Sequence, residues 1–322
     1  MKNILIAGGA GYIGTRLSND LSLAGHKVTV VDLFWFGDYL LNSVNKVKMD
    51  LMDLAEEDLE QFDCVVFMGG LSNDPMANFS PQRNFVENAA APTYLAYAAK
   101  KAGIKRFVYA SSCSVYGFTD NKVMTEKDDV NPEYPYGISK LQTEYSIMKM
   151  QSENFRPISL RKGTVGGWSP RMRFDLVVNT MTKYALTKGK IVVHNPSLWR
   201  PLVDIRDVVH AYKQSIFCDQ SISGVFNICH SNYTIGDLAT DIKEKLEEYG
   251  YAIDLDIQNK PDVRNYLASN KKAKSILNFE PKYIPKDSID EIMQNLNVKS
   301  IDFEDKRYHN IATFKDLTNV AR

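Results

Sequence analysis

The residues with the clearest chemical potential are a tyrosine and a lysine four positions apart, Tyr136 and Lys140. Pro135 directly before them is typical of the first turn of a helix, so both side chains are expected on one helical face. An ammonium beside a phenol lowers the phenol pKa from its ordinary value of about 10, which would make Tyr136 a general base near neutral pH. Tyr-x-x-x-Lys also occurs by chance on solvated helices, so the rest of the chain must decide what the pair does.

A glycine-rich turn follows the first apolar run, with glycines at Gly8, Gly11 and Gly14. Glycines let the backbone turn tightly and approach a pyrophosphate that rests on the amino terminus of the next helix. Asp32 ends the second apolar run, where a carboxylate accepts hydrogen bonds from the ribose hydroxyls of an adenosine. A carboxylate repels a 2′-phosphate, and residues 33–36 contain no arginine. The pattern therefore predicts NAD rather than NADP; a tight turn without a ligand is the alternative.

The sequence Ser-Ser-Cys-Ser-Val-Tyr-Gly, residues 111–117, follows the apolar run Phe107 to Ala110. Its hydroxyls are expected at the carboxyl ends of the strands, where parallel α/β sheets bind ligands. Together with the glycine turn, Tyr136 and Lys140, this motif resembles the extended short-chain dehydrogenase/reductases, in particular the family of NAD-dependent nucleotide-sugar epimerases and dehydratases. The likeness runs from the first strand to about residue 280.

This resemblance implies a catalytic trio of Ser112, Tyr136 and Lys140, in which Ser112 hydrogen-bonds to the reacting sugar oxygen and Lys140 also holds the nicotinamide ribose. The residues that it assigns to NAD are Gly8, Gly11, Tyr12, Ile13, Asp32, Asp50, Leu51, Met68, Gly69, Gly70, Asn88, Ser111, Tyr136 and Lys140. The residues that it assigns to a nucleotide-diphosphate sugar are Ser72, Ser112, Asn179, Arg200 and Asp262. For Asn88, Asn179, Arg200 and Asp262, an ordinary surface or capping role stays open.

The two residues after Ser112 restrict which reactions of the family are expected for this chain. Family members that eliminate water from the sugar carry an Asp-Glu pair there, whereas this chain has Cys113 and Ser114. A 4,6-dehydratase is therefore not favoured, and a uronate decarboxylase is weakened as well. The resemblance then implies a nucleotide-sugar epimerase, acting at C4 through a transient keto-sugar. Asp32 supports this hypothesis because biosynthetic reductases usually use NADPH.

Two alternatives stay open. The first is a nucleotide-sugar 4-ketoreductase or dehydrogenase, because fucose-type epimerase/reductases carry a cysteine acid in this loop, aligned with Ser114, one residue after Cys113. The second is a non-catalytic NAD-binding protein, although such proteins typically lack the tyrosine or the lysine. Ser72 stands where galactose-type 4-epimerases carry a lysine, so a substrate other than UDP-glucose or UDP-galactose is open.

The elements that must position these residues alternate along the chain. Short apolar runs of strand length are separated by helical patterns, which predicts an α/β fold with a doubly wound parallel, Rossmann-type sheet and a smaller carboxy-terminal substrate-binding portion. We expect an NAD-binding domain over residues 1–165, to which residues 201–230 return, and a substrate-binding portion from residues 166–200 and 231–322. The structure of residues 300–322 is left open.

Bulk composition fits this interpretation. The 322 residues include 39 basic and 39 acidic side chains, so nucleic acid and anionic membranes are not expected partners. No apolar stretch approaches the roughly 20 residues of a membrane span. The four cysteines form no Cys-x-x-Cys pair and the five histidines lack ligand spacing, so we expect a cytoplasmic protein without a metal site. In the family, the helices over residues 88–102 and 136–153 often pair with a second subunit, so a homodimer is expected.

Overall fold

A computed structural model describes residues 1–259 and 265–320 of the chain. The strands are β1 (Asn3–Ala7), β2 (Lys27–Asp32), β3 (Asn45–Lys48), β4 (Cys64–Phe67), β5 (Arg106–Ser112), β6 (Val123–Met124), β7 (Arg156–Lys162), β8 (Thr164–Gly166), β9 (Lys190–His194), β10 (Trp199–Asp204), β11 (Gly224–Ile228), β12 (Ser231–Thr234), β13 (Asp254–Gln258) and β14 (Leu267–Ala268). The helices are α1 (Tyr12–Leu23), α2 (Glu56–Leu59), α3 (Asp74–Phe79), α4 (Pro81–Phe85), α5 (Ala91–Lys101), α6 (Pro135–Lys149), α7 (Val177–Lys188), α8 (Ile205–Phe217), α9 (Ile235–Glu248), α10 (Lys271–Leu277), α11 (Pro285–Asn295) and α12 (Asn310–Val320).

Seven parallel strands form the main sheet, in the order β11-β7-β5-β4-β1-β2-β3. Alternate residues of β1 point to opposite faces: Ile4 and Ile6 pack in one apolar cluster with α1 and α8, while Leu5 and Ala7 pack in another with α5. Helices therefore cover both faces of the sheet, which explains why its strands are continuously apolar. This confirms the predicted doubly wound parallel fold.

A smaller portion lies beyond the carboxyl edge of this sheet. We expected residues 201–230 to return to the NAD-binding domain, but β10 instead pairs with β8 and β12 in a separate three-stranded sheet. The reason lies at Gly163, between β7 and β8, where a Cβ atom would stand 2.5 Å from the carbonyl oxygen of Pro201. This glycine lets β10 approach the extension of β7, and only β11 joins the main sheet, beside β7.

The carboxy-terminal segment, left open by the sequence, ends in α12. Phe314 of this helix is fully buried, with its ring 5.8 Å from that of Trp35 and 6.0 Å from that of Phe79. These contacts dock α12 on α3, at the rim of the cavity described below. In the part of the chain that the structure describes, none of the helices has the length and apolar character needed to cross a membrane.

Candidate active site

A cavity of about 530 Å³ opens at the carboxyl ends of the parallel strands. The glycine turn and the first turn of α1 form one wall, and the end of β5 with α6 forms the opposite wall. The residues predicted for the cofactor that border it are Gly8, Gly11, Tyr12, Ile13, Asp32, Asp50, Leu51, Met68, Gly69, Gly70, Ser111, Tyr136 and Lys140. One folded surface thus brings together sequence features that are more than one hundred residues apart.

The glycine turn is shaped to admit a diphosphate. Gly8 has a φ of +78°, and a Cβ atom there would lie 2.3 Å from the Cα atom of Gly69. A Cβ atom on Gly14 would lie 2.7 Å from Gly9, so only glycine allows α1 to pack this closely on the turn. The first turn of α1 contains no acidic side chain, which leaves its amino-terminal N–H groups suited to an anion. These features fit the diphosphate of a dinucleotide.

Asp32 ends β2 with its carboxylate already fixed. One oxygen accepts the N–H of Ala10 at 2.9 Å and the other accepts the N–H of Phe34 at 2.8 Å. Burial raises the pKa of Asp32 while these two backbone donors lower it. Each carboxylate oxygen keeps a free lone pair, so the group can still accept hydrogen bonds from a ribose diol. The site therefore fits NAD at both its diphosphate and its adenosine ribose.

Ser112 and Tyr136 lie close together at the wall of the cavity formed by the end of β5 and by α6. Ser112 ends β5, where its Oγ accepts the N–H of Ser114 at 3.1 Å and donates to the Ser114 Oγ at 3.0 Å. Tyr136 lies in the first turn of α6, which begins at Pro135, and the Ser112 hydroxyl is close enough to lower the pKa of the phenol. Lys140, one turn later, lies on the same helical face, as the spacing predicted.

The electrostatics of the pair differ from our expectation. Burial, with a smaller contribution from the carboxylate of Asp74, raises the pKa of Tyr136 to about 12, although Arg173 and Ser112 oppose this increase. Burial also lowers the pKa of Lys140 to about 7. We expected the phenol pKa to be lowered by the lysine ammonium together with the positive charge of oxidised nicotinamide. In the ligand-free protein the lysine alone does not produce this lowering, because desolvation disfavours the charged form of both groups.

Lys162 is a cavity residue that the sequence analysis missed. It ends β7, and its Nζ donates to the carbonyl oxygen of Ser111 at 2.9 Å and to the hydroxyl of Tyr212 at 3.2 Å. Burial holds the pKa of Lys162 well below its ordinary range, and Lys140 lowers it further. A polar residue at the carboxyl end of a central strand was the signal that could have identified it.

A second cavity of about 450 Å³ adjoins the first. The residues that border both cavities are Asn73, Asp74, Ser114, Thr164, Asp175, Leu176 and Tyr266. Its outer part is aromatic, with Phe118 and Tyr134 in edge-to-face contact at 6.0 Å between ring centroids. Arg200 also borders it, with its guanidinium 5.5 Å from the centroid of the Tyr266 ring. This cavity therefore offers aromatic faces and a cation.

The residues assigned to the sugar nucleotide do not all lie at the cavities. Ser72 and Ser112 border the first cavity and Arg200 borders the second. Asn179 borders neither, because its amide is used inside the fold: its Oδ1 accepts the N–H of Gly167 at 3.0 Å, and its Nδ2 donates to the carbonyl oxygen of Arg173 at 2.9 Å. The proposed contact of Asn179 with a diphosphate is corrected accordingly. Asp262 lies outside the described residues.

Asn88 is also an internal residue, not a cavity residue. It is fully buried in the turn before α5, and its Nδ2 donates to the carbonyl oxygen of Leu71 at 2.8 Å. Its Oδ1 occupies the space beside Gly70, where a Cβ atom would lie only 2.1 Å away. The expected contact of Asn88 with the nicotinamide side is therefore replaced by support of the loop at Gly70, which does border the cavity.

Cys113 borders neither cavity, unlike its neighbours Ser112 and Ser114. Its Sγ donates to the carbonyl oxygen of Arg161 at 3.2 Å, the side chain is fully buried in an apolar cluster, and burial holds its pKa well above the ordinary range. The side chain that borders both cavities at this loop is Ser114. Among residues 1–259 and 265–320, no group of three or more His, Cys, Asp or Glu side chains is arranged to hold a metal ion.

The sequence and the fold of this chain are similar to those of known proteins. The model of the NAD dependent epimerase/dehydratase family matches residues 4–229. A UDP-glucose 4-epimerase of Rhizobium meliloti (strain 1021) is 24% identical over 312 residues, which cover 88% of this chain and 93% of that protein. The UDP-glucose 4-epimerase of Thermotoga maritima, solved with UDP-glucose, has a TM-score of 0.77 at 25% identity, covering 98% and 99% of the two chains. MoeE5, solved with UDP-glucose and NAD, has a TM-score of 0.79 at 25% identity, covering 91% and 97%.

Proposed function

This chain belongs to the NAD-dependent epimerase/dehydratase family, and we propose that it is a nucleotide-sugar 4-epimerase that keeps its NAD through each turnover. The observation that carries the proposal is the position of Ser112 and Tyr136, next to the junction of the two cavities. A dinucleotide in the first cavity and a sugar nucleotide in the second would meet there, with the reacting sugar carbon between them.

The chain's own residues supply proton transfer and positioning. Bound NAD would accept a hydride from the sugar C4 and later return it to the other face of the ring. Tyr136 Oη takes the proton of the 4-hydroxyl and gives it back, while Ser112 Oγ hydrogen-bonds to the same sugar oxygen throughout. The positive charge of oxidised nicotinamide lowers the pKa that burial has raised, so Tyr136 becomes a base only when the cofactor is in place.

Cys113 and Asp32 favour the epimerase over a 4-ketoreductase. A reductase of the fucose type uses a cysteine acid in this loop, but the Cys113 thiol bonds to the backbone of Arg161 inside an apolar cluster. The hydroxyl of Ser114, which borders the cavities instead, is a much weaker acid. Asp32 favours NAD, which an epimerase regenerates in every cycle, whereas a reductase would need a supply of reduced cofactor.

We infer that the substrate is a UDP-linked sugar. The curated relative and the two solved neighbours named above act on or bind UDP-sugars. In this chain the aromatic side chains of Phe118 and Tyr134 could flank a base, and Arg200 could pair with a diphosphate.

The experiment is an assay of the purified protein without added cofactor. The protein is heated to release small molecules for mass spectrometry, and a panel of UDP-, GDP- and dTDP-hexoses is followed by proton NMR. Retained NAD with interconversion of two 4-epimers supports the proposal. In a parallel assay with added NADH or NADPH, stoichiometric consumption of the reduced cofactor would establish the ketoreductase. No turnover in either assay, with unmodified NAD bound, would favour a binding protein.

A homodimer in the cytoplasm, serving carbohydrate biosynthesis, completes the proposal. The exposed faces of α5 and α6 carry Tyr97 and Tyr145, which are 55% and 65% exposed. With Tyr94, they line a shallow groove formed by the two helices. Large aromatic side chains in contiguous exposed patches are typical of protein interfaces. A reducing compartment suits the four unpaired cysteines, three of which are buried.

A further inference from the structure

Asn310, the first residue of α12, reaches the cofactor cavity from the carboxy-terminal end of the chain. Its Nδ2 donates to the Ser72 Oγ at 2.6 Å, and its Oδ1 accepts a hydrogen bond from an Nη atom of Arg171. All three residues border the first cavity. Arg171 lies in the segment before α7, so Asn310 links that segment to Ser72, two parts of the cavity wall that are distant in the sequence.

Arg171 is held at the cavity with unused hydrogen-bonding capacity. It is 1% exposed, its Cζ lies 3.9 Å from the centroid of the Phe36 ring, and its Nε has no hydrogen-bond partner in the described structure. Its other Nη atom makes only a long bond, 3.4 Å, to the carbonyl oxygen of Met172. A buried guanidinium with an unsatisfied donor is costly unless an anion completes its surroundings.

The acidic side chains near Arg171 are engaged by other groups, so the anion that completes its surroundings would come from a ligand. The nearest acidic groups are Asp32, whose oxygens accept backbone N–H groups, and Asp175, which is paired with Arg173. Burial, with a smaller contribution from the positive charge of Arg173, lowers the pKa of Arg171 to about 9. The anion that the first cavity is built to receive is the diphosphate at the amino terminus of α1, which borders the same cavity as Arg171 and Asn310.

The helix that carries Asn310 is docked by a small, separate apolar cluster. Phe314 packs with Leu71 and Met76, and the guanidinium of Arg83 lies 5.3 Å from the centroid of its ring. Because this cluster is small and separate from the main hydrophobic cores, α12 can detach while the sheet stays folded.

We propose that α12 is a strap that retains the dinucleotide, with Asn310 as the positioning residue that holds the Arg171 guanidinium against the cofactor diphosphate. The inference rests on the proposed NAD site and adds to it a route for release: NAD leaves only when α12 detaches. An epimerase that keeps its cofactor through turnover benefits from such a strap, because the hydride must return to the same sugar before the cofactor dissociates.

The test measures how fast bound NAD exchanges for fluorescent etheno-NAD in the holoenzyme. Asn310→Ala removes the bond to Arg171. Asn310→Asp keeps the shape of the side chain and replaces the hydrogen bond to Arg171 with an ion pair, which holds α12 more tightly. The new carboxylate also offsets the positive charge of the Arg171 guanidinium and would repel the cofactor diphosphate. The matched control is Asp316→Ala on the same helix, where an exposed carboxylate pairs with the exposed Lys306. Circular dichroism and thermal unfolding establish that each variant is folded.

We expect release about 10-fold faster in both Asn310 variants, which corresponds to about 1.4 kcal/mol, and unchanged release in the control. If α12 were only a steric cover, Asn310→Asp would hold NAD as long as the wild type or longer, which would overturn the proposal. Equal exchange rates in all variants, with epimerisation intact, would overturn the strap and leave the proposed function standing. A wild-type protein that binds no NAD would overturn both.

Discussion

The Nζ of Lys140 lies 5.7 Å from the centroid of the Tyr136 ring, on the same face of α6. Both side chains are buried, and burial moves their pKa values in opposite directions, lowering that of the amine to about 7 and raising that of the phenol to about 12. At neutral pH in the ligand-free protein, the phenol is therefore neutral and the amine is only partly protonated. Catalysis requires the charge of the bound cofactor to shift this balance.

Lys140 should make the stability of the cofactor-free protein depend on pH. Its pKa is lower in the folded state, about 7, than the ordinary value of about 10.4 that it has when unfolded. Between these values the unfolded state binds more protons, so the free energy of unfolding rises with pH, by up to about 1.4 kcal/mol per pH unit from this group. Urea unfolding at pH 7, 8 and 9 should show a shallower rise for Lys140→Met. Parallel profiles for the two proteins would contradict the prediction.

Tyr136→Phe should lower turnover by at least about 100-fold, because it removes the only hydroxyl assigned to proton transfer at the sugar oxygen. The bound NAD should stay, since a phenyl ring still fills the wall of the cavity. Turnover is measured by NMR and NAD content by chromatography of the heat-released nucleotide. Tyr145→Phe is the matched control, because it removes an exposed hydroxyl from the same helix. A Tyr136 variant with a tenth or more of wild-type turnover would show that this assignment is wrong.

Cys113→Ser should leave turnover within about threefold of the wild type. The serine hydroxyl can keep the bond to the carbonyl oxygen of Arg161, and the thiol does not border either cavity. Burying a hydroxyl in place of a thiol should cost about 1 kcal/mol of stability, measured by chemical denaturation. A 100-fold loss of activity in a normally folded variant would assign Cys113 to catalysis and would favour the 4-ketoreductase over the epimerase.

Asp32→Asn should weaken NAD binding by about 10-fold and reduce the preference for NAD over NADP, because the amide nitrogen cannot accept hydrogen bonds and no longer repels a 2′-phosphate. Both cofactors are titrated into protein stripped of nucleotide. Asp50→Asn is the comparison, since Asp50 borders the same cavity; it should alter the two affinities together. If the ratio is unchanged in the Asp32 variant, this carboxylate does not select the cofactor.

Tyr97→Glu should shift the protein from dimer to monomer, because it buries a charge in the proposed α5–α6 interface. Light scattering coupled to gel filtration measures the mass across a range of concentrations. Ile257→Glu is the control: this apolar residue is 63% exposed, but it lies on β13, outside the groove. A wild-type protein that is monomeric at all concentrations, or a dimer that tolerates Tyr97→Glu, would contradict the interface.

The sequence by itself determined the parts of the site that local rules control. Glycine spacing specifies the turn at Gly8 because only glycine fits so close to Gly69, and the four-residue spacing puts Tyr136 and Lys140 on one helical face. The ends of apolar runs locate Asp32 and Ser112 because parallel strands present their carboxyl ends at one edge. These inferences need only the periodicity of the chain and the topology that it implies.

Only the tertiary structure decided what depends on contacts between distant segments. In the folded chain, Asn179 and Asn88 are buried and support internal loops. The Cys113 thiol bonds to the backbone of Arg161, and Lys162 borders the cavity. The tertiary structure also brought Asn310 to Ser72, 238 positions earlier in the chain. No local pattern encodes such pairings, because the direction of a side chain is fixed by which elements pack together. For the same reason, the ionisation of Tyr136 and Lys140 followed from burial, which the sequence spacing does not reveal.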